Sequence, residues 1–242
     1  MKILITGASG NLGSYMAEEL EGKHDLVLTD IRIPKHKPKH FIQADLTDFK
    51  AMKKLCKGVD VVLHFGASCS KETPWEELLP NNIIGTRNVF EAAHQAECKR
   101  VIFASSINTV NGYPEGKQIP LHAVPRPSNI YGATKVFGEA LGSCYSDQKR
   151  LSVLCLRFGR IADKDDPRIK VKNSGEDPFP SCDRLIIYED AAQLVHASIL
   201  APKKVKFGIF NALSGNKKKR LNISETEKIL NYKPKYDSYE LS

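Results

Sequence analysis

Ser106, Tyr131 and Lys135 are the residues whose types and spacing most plainly offer chemistry. Tyr131 and Lys135 stand four apart in Tyr131-Gly-Ala-Thr-Lys135, and positions i and i+4 share one face of a helix. The pair can therefore aim a phenol and an ammonium at one point. An ammonium beside a phenol favours the phenolate, bringing a group of ordinary pKa near ~10 toward use as a base at neutral pH. The same spacing also occurs as plain surface decoration of a helix, so its meaning depends on what the chain sets around it.

The chain opens with the buried-strand pattern Lys2-Ile-Leu-Ile-Thr6, then Gly7-Ala-Ser-Gly10-Asn11-Leu12-Gly13, then a helical run from Ser14 to Leu20. Glycines in a first strand-to-helix turn let backbone amides approach a pyrophosphate, and the helix N-terminus adds positive potential. The spacing is Gly-x-x-Gly-x-x-Gly, not the Gly-x-Gly-x-x-Gly fingerprint. A second strand, Asp25 to Asp30, ends in an acid. A carboxylate there accepts the ribose hydroxyls of an adenosine and repels a 2′-phosphate, which points to NAD over NADP; Arg32 nearby is the feature that would accommodate that phosphate. Phe41 to Leu46 reads as a third strand that carries Asp45 to the adenine edge, with helix capping as the other role open to Asp45.

A fourth strand, Val59 to Phe65, leads into the tight loop Gly66-Ala67-Ser68, where the chain can pass the cofactor. His64, at that strand's end among apolar neighbours, reads as a hydrogen-bonded structural histidine, not a catalytic one. Residues 68–80, with Trp75, read as a loop or short helix over the pocket. A helix from about Asn81 to Ala96 precedes the strand Arg100 to Ala104, which delivers Ser105 and Ser106. A helix from about Asn129 to Gln148 carries Tyr131 and Lys135, and a sixth strand, Leu151 to Arg157, places Phe158-Gly-Arg160 at its carboxyl end. Asp163 to Asp183 reads as an extended loop or lid, followed by a helix over 186–200, a short strand over 208–211 and a helix over 223–230. Alternating strands and helices predict an α/β, doubly wound parallel sheet (Rossmann fold) with a small C-terminal segment covering the substrate side. The expected organisation is a single domain over 1–242, with the cofactor core in 1–160 and no independent unit in 161–242. Ligands in such folds sit beyond the carboxyl ends of strands, where Gly7, Asp30, Gly66, Ser106 and Phe158 fall.

With 41% hydrophobic and 26% charged residues, the composition is that of an ordinary globular protein. Six cysteines, at 56, 69, 98, 144, 155 and 182, form no C-x-x-C pair and no cluster with histidine, so neither a metal site nor a disulfide framework is predicted, and a reducing cytoplasm fits. Nothing in the sequence reads as a secretion signal or a membrane span. The net charge of +8 is concentrated in Pro34-Lys-His-Lys-Pro-Lys-His40 and Lys217-Lys-Lys-Arg220. Both runs lack interleaved aromatics and read as solvated loops, so no nucleic-acid partner is expected. An anionic small substrate suits the charge.

As a set, Gly7-x-x-Gly10-x-x-Gly13, Asp30, Asp45-Leu46, His64-Phe65-Gly66-Ala67, Asn82, Ser105-Ser106, Tyr131-x-x-x-Lys135 and Leu156-Arg157 resemble the extended short-chain dehydrogenase/reductases, the NAD-dependent epimerase/dehydratase family. The resemblance runs from residue 2 to about 160. It implies that Ser106 orients the substrate oxygen, that Tyr131 is the acid/base, and that Lys135 lowers the phenol's pKa and holds the nicotinamide ribose. It adds Asn11, Leu12, Leu46, Phe65, Ala67, Asn82, Tyr131, Lys135 and Phe158 to the cofactor's surroundings.

Only 85 residues follow Arg157, too few for the substrate lobe of the enzymes that grip a nucleotide-sugar. That short segment, Tyr113-Pro114, Arg126-Pro127, Phe137-Gly-Glu139 and Leu230-Asn-Tyr-Lys-Pro-Lys235 look like uronate dehydrogenases, which oxidise C1 of a hexuronate to a lactone with NAD. The departures are Ile107 where those enzymes carry asparagine, with Asn108 one place on, and Arg160 where they carry a small hydroxyl. Ser68, Ser106, Asn108, Arg160 and Arg168 are the expected substrate contacts, for a sugar or sugar acid bearing a carboxylate or a phosphate. A nucleotide-sugar epimerase or dehydratase, a sugar-phosphate dehydrogenase and a non-catalytic NAD-binding scaffold stay open as alternatives. The resemblance also implies a homodimer joined through the helices at about 81–96 and 129–148.

Overall fold

The computed structural model describes residues 1–34, 38, 40–70, 72–120, 122–170 and 182–241, without the side chains of Arg168 and Lys170. Its first strand, β1 (Lys2–Thr6), alternates its apolar side chains between the two faces of a sheet. Ile3 and Ile5 pack with Met16, Leu194 and Val195 on one side, and Leu4 packs with Met52, Leu55 and Phe90 on the other. A strand apolar on both faces has to be covered on both. Helices α1 (Asn11–Leu20) and α7 (Tyr188–Leu200) touch on the first side, and α2 (Phe49–Cys56), α4 (Gly85–Gln95) and α5 (Ile130–Lys149) adjoin on the second.

The remaining strands are β2 (Asp25–Asp30), β3 (Phe41–Gln43), β4 (Val61–His64), β5 (Arg100–Ser106), β6 (Ser152–Phe158) and β9 (Phe207–Ala212). They form one sheet in the order β3-β2-β1-β4-β5-β6-β9, and every ladder in it is parallel. This is the doubly wound α/β architecture expected from the alternating elements. Its order reverses between β1 and β4, which puts the ends of those two strands at the switch point. A further parallel pair, β7 (Arg160–Ala162) with β8 (Leu185–Ile187), stands apart from the main sheet. The chain also forms short helices α3 (Trp75–Leu78), α6 (Pro167–Lys170) and α8 (Ser224–Leu230).

Several boundaries differ from the sequence reading. Helix α1 starts at Asn11, because Gly10 supplies the extended residue before it and Ser14 N already donates to Gly10 O at 2.8 Å. The third strand ends at Gln43, so Asp45 lies beyond it. Ile186 and Ile187 belong to β8 and not to the following helix, which starts at Tyr188; three apolar residues in a row do not distinguish a strand from a buried helical turn. Pro80 does not end a loop: Leu79–Ile84 is a π-helical turn that joins α3 to α4. Of the expected lid over 163–183, residues 171–181 lie outside the described residues.

Two buried arginines tie distant segments together through backbone carbonyls. Arg100, 6% exposed, donates to the carbonyls of Ser198 and Ala201, both at 2.8 Å, at the end of α7. Arg220, 1% exposed, donates to those of Pro114 at 2.8 Å, Lys117 at 2.5 Å and Tyr113 at 2.6 Å. The second arginine ties the C-terminal segment to the loop that follows β5. Among the described residues no helix is long and apolar enough to cross a membrane.

Candidate active site

At the switch point the turn after β1 is built for close approach. Gly7 has φ of 71°, and a Cβ there would come within 2.5 Å of Gly66 N in the loop after β4. A Cβ on Gly13 would collide with the Gly7 carbonyl. Gly10 N donates to Gly7 O at 3.0 Å. The first turn of α1 holds no acidic residue and no side-chain cap, which leaves its amides open to an anion. Asn11 is exposed in that turn, and Leu12 packs inward against the core. The arrangement fits the pyrophosphate of a dinucleotide: small backbone, converging amides, and positive helix potential.

Asp30 closes the other end of this turn. Its Oδ2 accepts from Ser9 N at 3.0 Å and its Oδ1 from Arg32 N at 2.9 Å, so the carboxylate holds the two loops together. Arg32 itself is exposed and lies 3.9 Å from Asp30. Asp45 accepts from Thr47 N at 2.8 Å, a turn that precedes α2, whose cap is Asp48. Leu46 packs beside Gly66 and Gly85. The loop Phe65 to Ser68 is held by Asn82, whose side chain accepts from Ser68 N and donates to Ser68 O, both at 2.9 Å, and donates to Thr134 Oγ1 at 3.0 Å. Asn81 Nδ2 donates to Ser68 Oγ at 2.9 Å. The π-helical turn thus aims two amides at one loop, and Ala67 lies within it.

The three residues singled out first come together at the carboxyl edge of β5. Ser106 is 7%, Tyr131 8% and Lys135 3% exposed. Asn129 caps α5, accepting from Gly132 N at 2.7 Å, which sets Tyr131 in the first turn. The Ser106 hydroxyl accepts from Asn108 N at 3.1 Å and also touches the Tyr131 phenol, pulling its pKa down. Burial is the larger influence, and it pushes that phenol well above its ordinary value. Burial pushes Lys135 down to about 8. The Lys135 ammonium lies 4.8 Å from the centre of the Phe103 ring and 5.6 Å from that of Tyr131. Cation–π attraction to two faces holds the charge in place. The direction for Tyr131 is opposite to that expected from a neighbouring ammonium, because desolvation of the phenolate is the largest influence on it.

Phe158 pairs in register with Ser106 across β5 and β6. Asn108 lies in the short helical turn after Ser106, and its carbonyl accepts from Ser128 N at 3.1 Å, which ties this turn to the approach of α5. Arg160 opens β7, exposed, two residues past Phe158. The side chain of Arg168 lies outside the described residues. His64 takes the structural role expected of it: Nδ1 is 2.8 Å from Thr6 Oγ1 and Nε2 is 3.2 Å from Thr86 Oγ1, at 1% exposure. Among the described residues no cluster of His, Cys, Asp and Glu is placed to hold a metal ion.

Sequence reasoning missed four contributors. Phe103 cradles Lys135 from a strand, which no spacing within α5 could show. Cys69, exposed, lies near enough to interact electrostatically with both Tyr131 and Lys135. Asn81 supports Ser68. Glu139, four residues past Lys135, accepts a bidentate pair from Arg157, at 2.7 and 2.8 Å, and the Ser105 hydroxyl at 2.6 Å. An acid continuing the i, i+4 row of Tyr131 and Lys135 was the available signal for this last group. A cleft of about 640 Å³ lies elsewhere, between α1 and the β2–β3 side, and includes none of the three reactive residues.

Glycine cradle, strand-end acid and buried Ser–Tyr–Lys group together define a dinucleotide-binding α/β protein with a cluster of polar and titratable side chains at the carboxyl end of its sheet. Residues 3–165 match the model of the NAD dependent epimerase/dehydratase family, and the chain belongs to that family. It is 31% identical to an L-arabinose 1-dehydrogenase (NAD(P)(+)) of Haloferax volcanii, over 98% of this chain and 97% of that protein. It is 34% identical to a uronate dehydrogenase of Pseudomonas putida, over 83% of this chain and 72% of the other. Among solved structures, a uronate dehydrogenase variant from Agrobacterium tumefaciens complexed with NAD superposes with a TM-score of 0.85 at 29% identity, covering 98% of this chain and 85% of its own.

Proposed function

We propose that this protein is an NAD-dependent dehydrogenase that oxidises C1 of a cyclic sugar or sugar acid to the lactone. The observation that carries this reading is the convergence of Ser106, Tyr131 and Lys135 at the edge of a glycine-lined dinucleotide cradle. Gly7, Gly10, Asn11, Leu12 and Gly13 hold the pyrophosphate, Asp30 the adenosine ribose, and Asp45 and Leu46 the adenine side. Phe65, Gly66, Ala67, Asn82 and Phe158 line the nicotinamide half. Bound NAD supplies the acceptor for the hydride that leaves C1.

The chain's own groups handle the proton. Ser106 holds the C1 oxygen, and Tyr131, reacting as the phenolate, takes the hydroxyl proton as the carbonyl forms. Lys135, buried and cationic at neutral pH, binds the nicotinamide ribose and steadies negative charge on the phenol oxygen. Burial keeps water away from this exchange, and positioning of the reacting groups lowers the barrier further. Ser68 and Asn108 contact the sugar hydroxyls. Arg160, with Arg168, receives a carboxylate or phosphate, since a guanidinium matches either in a bidentate fashion.

The test is an NAD-reduction screen over hexuronates, sugar phosphates and neutral aldoses, followed at the absorbance of reduced cofactor. Turnover of an anionic sugar supports the whole reading. Turnover of neutral aldoses alone removes the role of the arginines. Substrate isomerisation without net NAD reduction replaces the dehydrogenase with an epimerase.

A further inference from the structure

Tyr131, Lys135 and Glu139 form one row on the face of α5 that meets the sheet. Most of that face is smooth. A Cβ on Gly132 would strike the Asn108 carbonyl, one on Gly138 would strike the Phe103 ring, and one on Gly142 would come within 2.8 Å of Val153 Cγ1. Glycines let the helix lie close, but apolar packing is non-directional.

Glu139 supplies what the glycines lack. Arg157 Nε and Nη2 donate to its two oxygens at 2.7 and 2.8 Å, and Ser105 Oγ donates to Oε1 at 2.6 Å. The side chains of Arg157 and Glu139 are only 5% and 3% exposed. Ser105 and Arg157 are register partners on β5 and β6, each one residue before the Ser106 and Phe158 pair. One carboxylate on the helix is thus fixed to two neighbouring strands at the level just below the reactive serine. A bidentate pair between a planar guanidinium and a carboxylate is directional.

We propose that Ser105, Glu139 and Arg157 are positioning residues that lock the axial register of α5 on β5 and β6, and so align the Tyr131 oxygen with Ser106 for proton transfer. This rests on Tyr131 being the acid/base of the proposed function. A helix displaced by one residue moves about 1.5 Å along its axis and turns by about 100°. Misplacement of about 1 Å is enough to cost a reacting group roughly 100-fold in rate. The network does not touch the substrate, so its loss acts through Tyr131 and not through binding.

Glu139→Gln removes the ion pair but strands the Arg157 charge, and that variant can fail to fold. Ser105→Ala is made beside it, because it keeps the ion pair and removes only the link to β5. Both are measured by steady-state NAD reduction on a sugar that the unaltered protein oxidises, with NAD affinity from fluorescence titration. The expected result for Ser105→Ala is a kcat about tenfold lower. The KM for the sugar and the Kd for NAD stay within about twofold. In a Tyr131→Phe background the same change has no further effect on the residual rate, because the group it aligns is gone. An unchanged kcat in Ser105→Ala overturns the proposal. So does an equal fold-loss with and without the Tyr131 hydroxyl, or a parallel change in kcat, KM and NAD affinity. If Tyr131→Phe alone keeps the full rate, it is the acid/base reading that fails, and the positioning role falls with it.

Discussion

Tyr131 gives up its proton against the cost of placing a phenolate where water is largely excluded. The phenol therefore starts protonated at neutral pH, and kcat/KM for oxidation rises with pH on the acid side, by up to about tenfold per unit. On the proposed mechanism Lys135, at about 8, limits that rise: as pH passes that value the ammonium is lost, and with it the proposed grip on the cofactor. A pH profile of kcat/KM for NAD that rises on the acid side and levels off above about 8, where loss of the ammonium offsets the gain in phenolate, checks this. Tyr131→Phe should lower turnover by roughly 10²–10⁴-fold, with NAD titration unchanged. Retention of most activity would remove the proposed mechanism. The Tyr131 and Lys135 pair was legible in the sequence because i, i+4 neighbours are fixed by helix geometry alone. Phe103, which holds the Lys135 charge from β5, was not legible, since strand and helix meet there only through the tertiary fold.

At the scale of elements, the continuous run from Trp75 to Gln95 matters most for the cofactor loop. A proline and a loop-like stretch hid it: Pro80 reads as a stop, yet it sits in a wider turn of the i to i+5 kind, which alters the usual i to i−4 pattern where the ring falls. That turn brings Asn82 under Ser68 and against Thr134 of α5. Asn82→Ala leaves the half-buried Ser68 amide without its partner. The expected cost is about 1–3 kcal/mol of stability, and the KM for NAD rises because the loop through Gly66 loosens. Thermal unfolding and steady-state kinetics on the same variant test both; an unchanged KM would show that the loop holds its shape without Asn82. Outside that run, strand and helix identities over residues 2–158 were readable from apolar runs and glycine turns. Leu185–Ile187 was not, because so short an apolar run has no period.

The molecule as a whole carries one buried neutral histidine in its central strand. His64 is pushed down to about 3 by burial, with the Lys135 charge adding to it. Unfolded histidine binds its proton near ~6.5, so between these values the unfolded chain holds more protons than the folded one. Stability is then full above about 6.5 and is lost as pH falls toward 3, by up to roughly 4 kcal/mol. His64→Gln should be less stable than the unaltered protein at pH 7, with the gap narrowing as pH falls; denaturant unfolding at several pH values measures it, and a gap constant with pH would refute the assignment. The parallel sheet covered on both faces followed from alternation of elements, whereas the last third of the chain is held by side chains that bond to distant carbonyls, and those leave no local pattern. Arg220 is the clearest of these. Its guanidinium holds the carbonyls of Tyr113, Pro114 and Lys117, more than a hundred positions earlier. During synthesis the loop after β5 must therefore wait for a residue made much later, so a nascent chain halted after β6 carries Ser106, Tyr131 and Lys135 but not the tie that closes the wall beside them.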